Sequence, residues 1–277
     1  MTIKACVIGW PVEHSRSPLI HGYWLEHYTI DASYTKQAVA PHELAEFLSN
    51  FKARGFAGAN VTVPHKEAAL AAADVADAAA LAIGAANTLW IENDRLHASN
   101  SDGYGFLANL DEAAPGWDDD KSPALVLGAG GAARAVLHGL ISRGYSEIRI
   151  VNRTKSRAAA LTAHFAGPVK VFDWEDRDAQ LEYCRLVVNT TTLGMTGEVP
   201  LEIDLAGARK QTVVTDLVYS PLKTGLLENA AARGLRTVDG LGMLLHQAVP
   251  GFEKWFGVRP EVTRELRALV TADIEGT

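Results

Sequence analysis

Cysteine is nearly absent from this chain: Cys6 and Cys184 are the only two in 277 residues. Both sit in apolar runs, which excludes a disulfide framework and suits a reducing, cytoplasmic setting. Positive charge is also scarce. Lys and Arg number 26 against 33 Asp and Glu, a net charge of -7. That balance lacks the basic face that phosphate neutralisation needs, which argues against a nucleic-acid partner. No apolar run is long enough to suggest a membrane span, and even the alanine-rich stretch 68–90 is broken by Asp74 and Asp77. The opening Met1-Thr2-Ile3-Lys4-Ala5 runs straight into a strand-like segment, with no signal-peptide pattern. Internal repeats and low-complexity tails are missing too, and no metal-ligand set is expected.

What the chain does have is an ordinary globular composition, 48% hydrophobic and 21% charged. Its length is generous for one core and comfortable for two. Short β-rich runs at 3–8, 33–39, 57–62, 124–127, 147–151, 169–172, 185–189, 212–216 and 235–238 alternate with helical patterns. Such alternation predicts α/β domains with parallel sheets. The segment 111–123 (DEAAPGWDDDKSP) has the composition of a linker, so the predicted domains are 1–110 and 111–239. The six runs from 124 onward are the complement of a doubly wound, Rossmann-type dinucleotide-binding sheet. That leaves 240–277 as surplus, readable as two helices. The first has apolar residues at Leu241, Leu244, Leu245, Ala248, Phe252 and Trp255, with a kink at Pro250. Its apolar face must pack on something, and the first domain is available.

An apolar strand at 124–127 runs into Gly128-Ala129-Gly130-Gly131-Ala132-Ala133 and then a helical pattern. This matches G-x-G-x-x-G/A: Gly128 for a tight turn, Gly130 for close approach of a pyrophosphate, Ala133 for helix–strand packing. The free N–H groups of the helix start would face the phosphates. After the second strand, an NAD site usually carries an acidic residue about 20 residues past the loop. Here the chain reads Asn152-Arg153-Thr154-Lys155-Ser156-Arg157, three cations and no acid. Cations at a helix start oppose its dipole. They read either as a solvated basic turn or as a clamp on the 2′-phosphate of NADP, and the missing acid favours NADP.

Three segments of the first domain stand out. In Gly9-Trp10-Pro11-Val12-Glu13-His14-Ser15-Arg16-Ser17-Pro18, Ser17 reads as an N-cap with Pro18 at N1. Two serine hydroxyls there also suit a carboxylate, although capping alone explains Ser17. His14 beside Ser15 lacks the G-x-S-x-G context of a hydrolase. In Asn60-Val61-Thr62-Val63-Pro64-His65-Lys66, Pro64 opens a helix and puts Lys66 in its first turn. A lysine there works against the dipole with no structural gain, which marks it as an acid/base candidate. The plainer reading is an exposed lysine compensated by Glu67, and His65 is a rival acid. The third segment joins Gly84-Ala85-Ala86-Asn87-Thr88 to Asn100-Ser101-Asp102-Gly103-Tyr104-Gly105-Phe106. There Asp102 is by default a helix cap.

Taken together, these motifs resemble shikimate dehydrogenase over nearly the whole chain. The segments are HSRSP at 14–18, NVTVPHK at 60–66, GAANT at 84–88, NSDGYGF at 100–106 and GAGGAAR at 128–134, then NRTKSR at 152–157, NTTTLGM at 189–195, DLVYSPLKT at 216–224 and GLGMLLHQA at 240–248. The resemblance implies NADPH-dependent reduction of 3-dehydroshikimate to shikimate, on the route to chorismate and the aromatic amino acids. It implies two α/β domains flanking a cleft, with the helices of 240–277 returning to the first. It assigns the substrate carboxylate to Ser15 and Ser17, and the ring hydroxyls to Thr62, Lys66, Asn87, Asp102 and Gln247, with Tyr219 in contact. Lys66 and Asp102 become the catalytic pair. Gly128, Ala129, Gly130, Gly131, Ala132, Asn152, Arg153, Thr154 and Arg157 become NADP ligands, with Leu217 and Gly240 beside the nicotinamide. Family members are monomers or homodimers. This chain departs from the family at Ser101, where threonine is usual, at Gly22, where asparagine is frequent, and at Ala78, where an acid is frequent. Two rivals stay open: a quinate/shikimate dehydrogenase using NAD, and a non-enzymatic NADP sensor on the same fold.

Overall fold

The computed structural model describes residues 2–276. The chain divides into two compact units: residues through Asp102 with Leu245–Val270, and Gly103–Leu244 with the residues from Thr271. The first unit runs β1 (Ile3–Gly9), α1 (Ser17–His27), β2 (Ala32–Ala38), α2 (Leu44–Ser49), β3 (Phe56–Val61), α3 (Lys66–Ala72), β4 (Val75–Ala76), α4 (Ala78–Ile83), β5 (Thr88–Glu92) and β6 (Arg95–Ser99). Then follow α5 (Asp102–Ala113), β7 (Ala124–Leu127), α6 (Gly131–Ser142), β8 (Ile148–Val151), α7 (Lys155–Phe165), β9 (Val169–Phe172), α8 (Arg177–Gln180), β10 (Leu186–Asn189), β11 (Val213–Asp216), α9 (Gly225–Ala232) and β12 (Arg236–Val238). The chain closes with α10 (Leu241–His246), α11 (Val249–Phe256) and α12 (Arg264–Glu275).

In the second unit six parallel strands lie in the order β12-β11-β10-β7-β8-β9. The order reverses between β7 and β10, the place where doubly wound sheets bind ligands. The central strands β7 (ALVL) and β10 (LVVN) are buried along their whole length and almost entirely apolar because both faces are covered. Ala124, Val126, Ile148, Ile150, Leu186 and Val188 fill one core, and Leu125, Leu127, Val151, Val187 and Val214 fill the other. The acidic stretch 111–123 is more than a connector, since Ala114 and Trp117 are buried in the first of these cores and Trp117 Nε1 donates to Asp111 Oδ1 at 2.9 Å.

The sheet of the first unit is mixed, in the order β2-β1-β3-β5-β6-β4, and this departs from the all-parallel expectation. β5 runs antiparallel to both β3 and β6. The β5–β6 hairpin turns through Asn93 and Asp94, both at positive φ (51° and 62°). A two-residue turn of this kind normally signals itself with Asn-Gly or Asp-Gly. Asn-Asp also tolerates the left-handed region, but is a weaker marker.

The surplus C-terminal segment forms three helices rather than a kinked pair. The break falls at Gln247-Ala248, and Pro250 sits in the first turn of α11, where its missing N–H costs nothing. The expectation that this segment packs on the first domain's sheet is met by α11. Trp255 Nε1 donates to Leu89 O of β5 at 2.9 Å, and a Cβ on Gly58 of β3 would stand 1.8 Å from the same indole nitrogen. Gly58 is therefore glycine because the indole lies on the strand. Phe252 is wholly buried, worth roughly 1.5–3 kcal/mol.

Helix α1 buries Ser17, Ile20, His21, Trp24 and Leu25, one stripe at helical spacing. Its N-cap is Arg16, without a side-chain bond, so Ser17 is the first helical residue and not the cap. His21 is wholly buried against Tyr34, with ring centroids 4.0 Å apart. Burial lowers its pKa from 6.5 to about 3. The unfolded chain binds this proton below pH 6.5 and the folded chain does not, so stability is lost as pH falls from 6.5 towards 3. Urea unfolding between pH 7 and 4.5 is expected to lose up to about 1.4 kcal/mol per pH unit through this residue. His21→Phe should show a correspondingly shallower slope; equal slopes would remove His21 as the cause.

Candidate active site

The ends of β3 and β6 bring the chemistry-bearing residues of the first unit together. α3 starts at Lys66 itself, two residues after Pro64, with His65 at the N-cap. The Lys66 ammonium is turned inward and donates to Asp102 Oδ2 at 2.5 Å. Its side chain is 30% exposed and that of Asp102 14%. The pair is thus shielded yet reachable, and the reading of Lys66 as a plain surface lysine is set aside. His65, the rival acid, is buried with Nε2 against Val39 O at 2.7 Å. His14 is exposed.

Asn87 completes the pair. Its Nδ2 donates to Asp102 Oδ1 at 2.8 Å and to Gln247 Oε1 at 3.3 Å. Its Oδ1 accepts from Ser101 N at 2.9 Å, Ser101 Oγ at 3.1 Å and Thr88 Oγ1 at 2.8 Å. The single Ser101 hydroxyl proton is shared between that oxygen and the closer Gln247 O, at 2.7 Å. A hydroxyl at 101 is thus tied to both neighbours, and serine supplies it without threonine's methyl. Asn100 holds the start of α5 by accepting from Asp102 N at 2.9 Å and donating to Ala85 O, also at 2.9 Å. Gly22 and Ala78, the other two departures, are exposed and take no part in this network.

The two serines stand at the start of α1, where Ser15 Oγ donates to Ser17 Oγ at 3.2 Å and Ser17 N to Ser15 Oγ at 3.3 Å. Ser17 is buried and Ser15 half-buried. Thr62 follows β3 directly, and its methyl would lie 2.5 Å from a Cβ on Gly9. Ser15, Ser17, Thr62, Lys66, Asn87, Asp102 and Gln247 all belong to the first unit.

Tyr219 and the candidate cofactor residues belong to the second unit. Gly128 ends β7 at φ +106°, and a Cβ there would meet Thr190 Oγ1 at 2.6 Å. Thr190 in turn donates to Leu127 O at 2.7 Å. Gly130 and Gly131 are different. Gly130 has an extended backbone at φ −93°, and no protein atom comes within 4 Å of a Cβ at either position. The protein itself gives no reason for glycine there. Free N–H groups at a helix start beside such open space are the kind of site that holds a phosphate.

At the start of α7, Lys155 pairs with Asp173 at 2.6 Å, and that carboxylate raises its pKa. Among the described residues, Arg153 and Arg157 have no acidic partner. Thr154 caps the helix without a side-chain bond, and Asn152 Nδ2 donates to Thr154 O at 2.8 Å. Two exposed guanidiniums at a helix start fit a phosphate monoester beyond a dinucleotide's own pyrophosphate. Leu217 and Gly240 lie against each other, a Cβ on Gly240 falling 2.3 Å from Leu217 O.

Sequence reasoning missed what holds the Leu217–Tyr219 loop. Asp216 is wholly buried, and burial raises its carboxyl pKa. It accepts from Asn189 Nδ2 at 2.9 Å, Val218 N at 3.0 Å and Thr224 Oγ1 at 2.7 Å. The only signal in the sequence is an acid closing the apolar strand β11.

Residues 7–89 match the model of the shikimate dehydrogenase substrate binding domain, 113–196 that of shikimate / quinate 5-dehydrogenase, and 240–269 that of the shikimate 5'-dehydrogenase C-terminal domain. The chain belongs to the shikimate dehydrogenase family. A shikimate dehydrogenase (NADP(+)) of Brucella canis is 56% identical over 274 residues, 98% of this chain and 94% of that one. Among solved structures, Thermus thermophilus shikimate 5-dehydrogenase in complex with NADP(H) and shikimate is 34% identical at a TM-score of 0.86, covering 99% of both chains. The family's fold also carries a different preference. Corynebacterium glutamicum quinate dehydrogenase in complex with NAD aligns at a TM-score of 0.91 and 28% identity, covering 98% of this chain and 99% of that one.

Proposed function

We propose that the protein is an NADP-dependent shikimate dehydrogenase that reduces 3-dehydroshikimate to shikimate in aromatic amino-acid biosynthesis. The observation that carries the reading is the Lys66–Asp102 pair, 2.5 Å apart and braced by Asn87 and Gln247, inside the region that matches the family's substrate domain. A sensor needs no such pair, so an enzyme is the better reading. Residues 1–110 with 240–277 serve the substrate, and 111–239 serve NADP.

NADPH supplies the hydride. As the ketone carbon is reduced its oxygen gains negative charge, and Lys66 delivers a proton to it; in the reverse direction Lys66 takes the alcohol proton. Asp102 keeps the ammonium aimed and accepts from the neighbouring ring hydroxyl, with Asn87, Gln247 and Thr62 around the other hydroxyls. Ser15 and Ser17 take the carboxylate, and Tyr219 adds a contact. Arg153 and Arg157 clamp the 2′-phosphate with Asn152 and Thr154 beside them. Gly128, Ala129, Gly130, Gly131 and Ala132 cradle the pyrophosphate, and Leu217 and Gly240 border the nicotinamide.

The enzyme works in the cytoplasm as a monomer or homodimer, without nucleic acid. Its cysteines are free and buried, as a reducing compartment permits, and among the described residues no helix is long and apolar enough to cross a membrane.

Mixing the protein with NADP and shikimate should raise absorbance at 340 nm, with a lower rate on quinate and NAD; a better specificity constant for quinate with NAD would reverse the assignment. In the same assay Lys66→Ala is expected to lose about 10²–10⁴-fold in kcat with KM for shikimate little changed. Near-normal turnover would take Lys66 out of the chemistry. Replacing Arg153 and Arg157 by Ser should raise KM for NADP by about tenfold or more and leave that for NAD nearly untouched, as expected for lost charge-assisted bonds.

A further inference from the structure

The proposed mechanism leaves one buried carboxylate unused. Asp216 closes β11 with no exposure to solvent. Its hydrogen-bond partners are a side-chain amide, a backbone N–H and a hydroxyl, none of them a cation. Burying an acid without a counter-ion is costly, and an apolar residue would close this strand more cheaply. A cost retained beside a candidate cofactor loop calls for a functional reason.

The hydrogens around Asp216 are all accounted for. Asn189 Oδ1 accepts from Thr191 N at 3.0 Å and Thr191 Oγ1 at 2.7 Å, so its Nδ2 faces the other way. That nitrogen gives one hydrogen to Asp216 Oδ1 at 2.9 Å and one to Leu193 O at 3.2 Å. Val218 N gives its single hydrogen to the same carboxylate oxygen at 3.0 Å, and Thr224 Oγ1 gives its own to Oδ2 at 2.7 Å. Leu217 N donates to Asn189 O at 3.0 Å. Both N–H groups that open the loop are thereby tied down, one to the neighbouring strand and one to Asp216. The opposite wall is fixed separately. Asn109 Nδ2 donates to Asp239 O at 2.7 Å, and Leu241 N to Asp239 Oδ1 at 3.0 Å, one residue either side of Gly240. A Cβ on Gly240 would stand 2.3 Å from Leu217 O and 2.8 Å from Val218 O. The loop therefore has no room to move towards Gly240, and the carboxylate keeps it from moving away.

We propose that Asp216 is a positioning residue that holds the Leu217–Val218 backbone against Gly240 and so sets the binding of the nicotinamide end of NADP, leaving the 2′-phosphate end untouched. The proposal rests on the reading of Leu217 and Gly240 as the border of the nicotinamide. Asp216 ends β11, whereas Arg153 and Arg157 follow β8, three strands away in the sheet. The test compares NADP with adenosine 2′,5′-bisphosphate, which carries the 2′-phosphate and lacks the nicotinamide. Asp216→Ala should lower kcat/KM for NADP roughly ten- to hundredfold, while the inhibition constant of the bisphosphate stays within about twofold of wild type. Asp216→Asn keeps an oxygen for Asn189 and Val218, and should return kcat/KM to within about threefold of wild type. Damage to the whole unit would weaken both ligands together, and that result overturns the proposal. So does an unchanged kcat/KM in Asp216→Ala, or an Asp216→Asn variant no better than Asp216→Ala. If Asp216→Ala does not fold, amide hydrogen exchange of the wild-type protein decides. The Leu217 and Val218 amides should then be protected in the free protein as strongly as those of β11, and fast exchange there would overturn the proposal. Wild-type protein that fails to oxidise shikimate with NADP refutes the underlying reading, and the proposal with it. Active wild-type protein with an indifferent Asp216→Ala variant removes Asp216 alone.

Discussion

The buried side-chain amide of Asn87 organises the first unit's chemistry. Its nitrogen serves Asp102 and Gln247, and its oxygen gathers Ser101 and Thr88. Three stretches of chain thereby meet: the start of β5, the turn from β6 into α5, and the break between α10 and α11. A neutral amide suits this place better than a charge, because it can donate and accept at once and carries no large desolvation cost. The Lys66–Asp102 ion pair depends on it. One carboxylate oxygen is taken by Asn87, and the other is left to the ammonium.

The second unit solves a similar problem with a buried acid. Asp216 closes β11, and its three partners come from β10, from the next loop and from the cap of α9. Thr224 does double duty there, donating to Asp216 and accepting from Leu227 N at 3.4 Å. Burial opposes ionisation of Asp216, and the three hydrogen bonds favour it. In both units the polar hub stands at the ends of strands, where a sheet stops satisfying backbone groups and loops must be held by side chains.

The cofactor side is written in what the protein leaves undone. Gly130 and Gly131 have open space where a side chain would fit, and among the described residues Arg153 and Arg157 have no acidic partner, and no acid stands in the first turn of α7. Local rules of stability are broken at these positions, as they are at Lys66. Fold likeness alone could not have said as much. The same architecture at a TM-score of 0.91 serves a quinate dehydrogenase with NAD, so preference lies in residues and not in topology.

The amino-acid sequence alone determined the α/β alternation, the glycine loop, the missing acid after β8 and the family motifs. Each is a local pattern: an apolar period, a turn residue, or a run of like charge. The antiparallel β5–β6 hairpin escaped because Asn93-Asp94 is a weak turn marker, and the Gln247-Ala248 break because Pro250 reads equally as a kink or a first-turn residue. Lys66 was suspicious from its position, but composition could not separate Asp102 from an ordinary helix cap. Only the tertiary structure decided that His65 faces a backbone carbonyl while Lys66 meets a carboxylate. It also revealed the bonds that Asp216 makes, because a buried side chain's partners are set by which distant atoms lie within about 3 Å of it, and residue order alone does not state that distance.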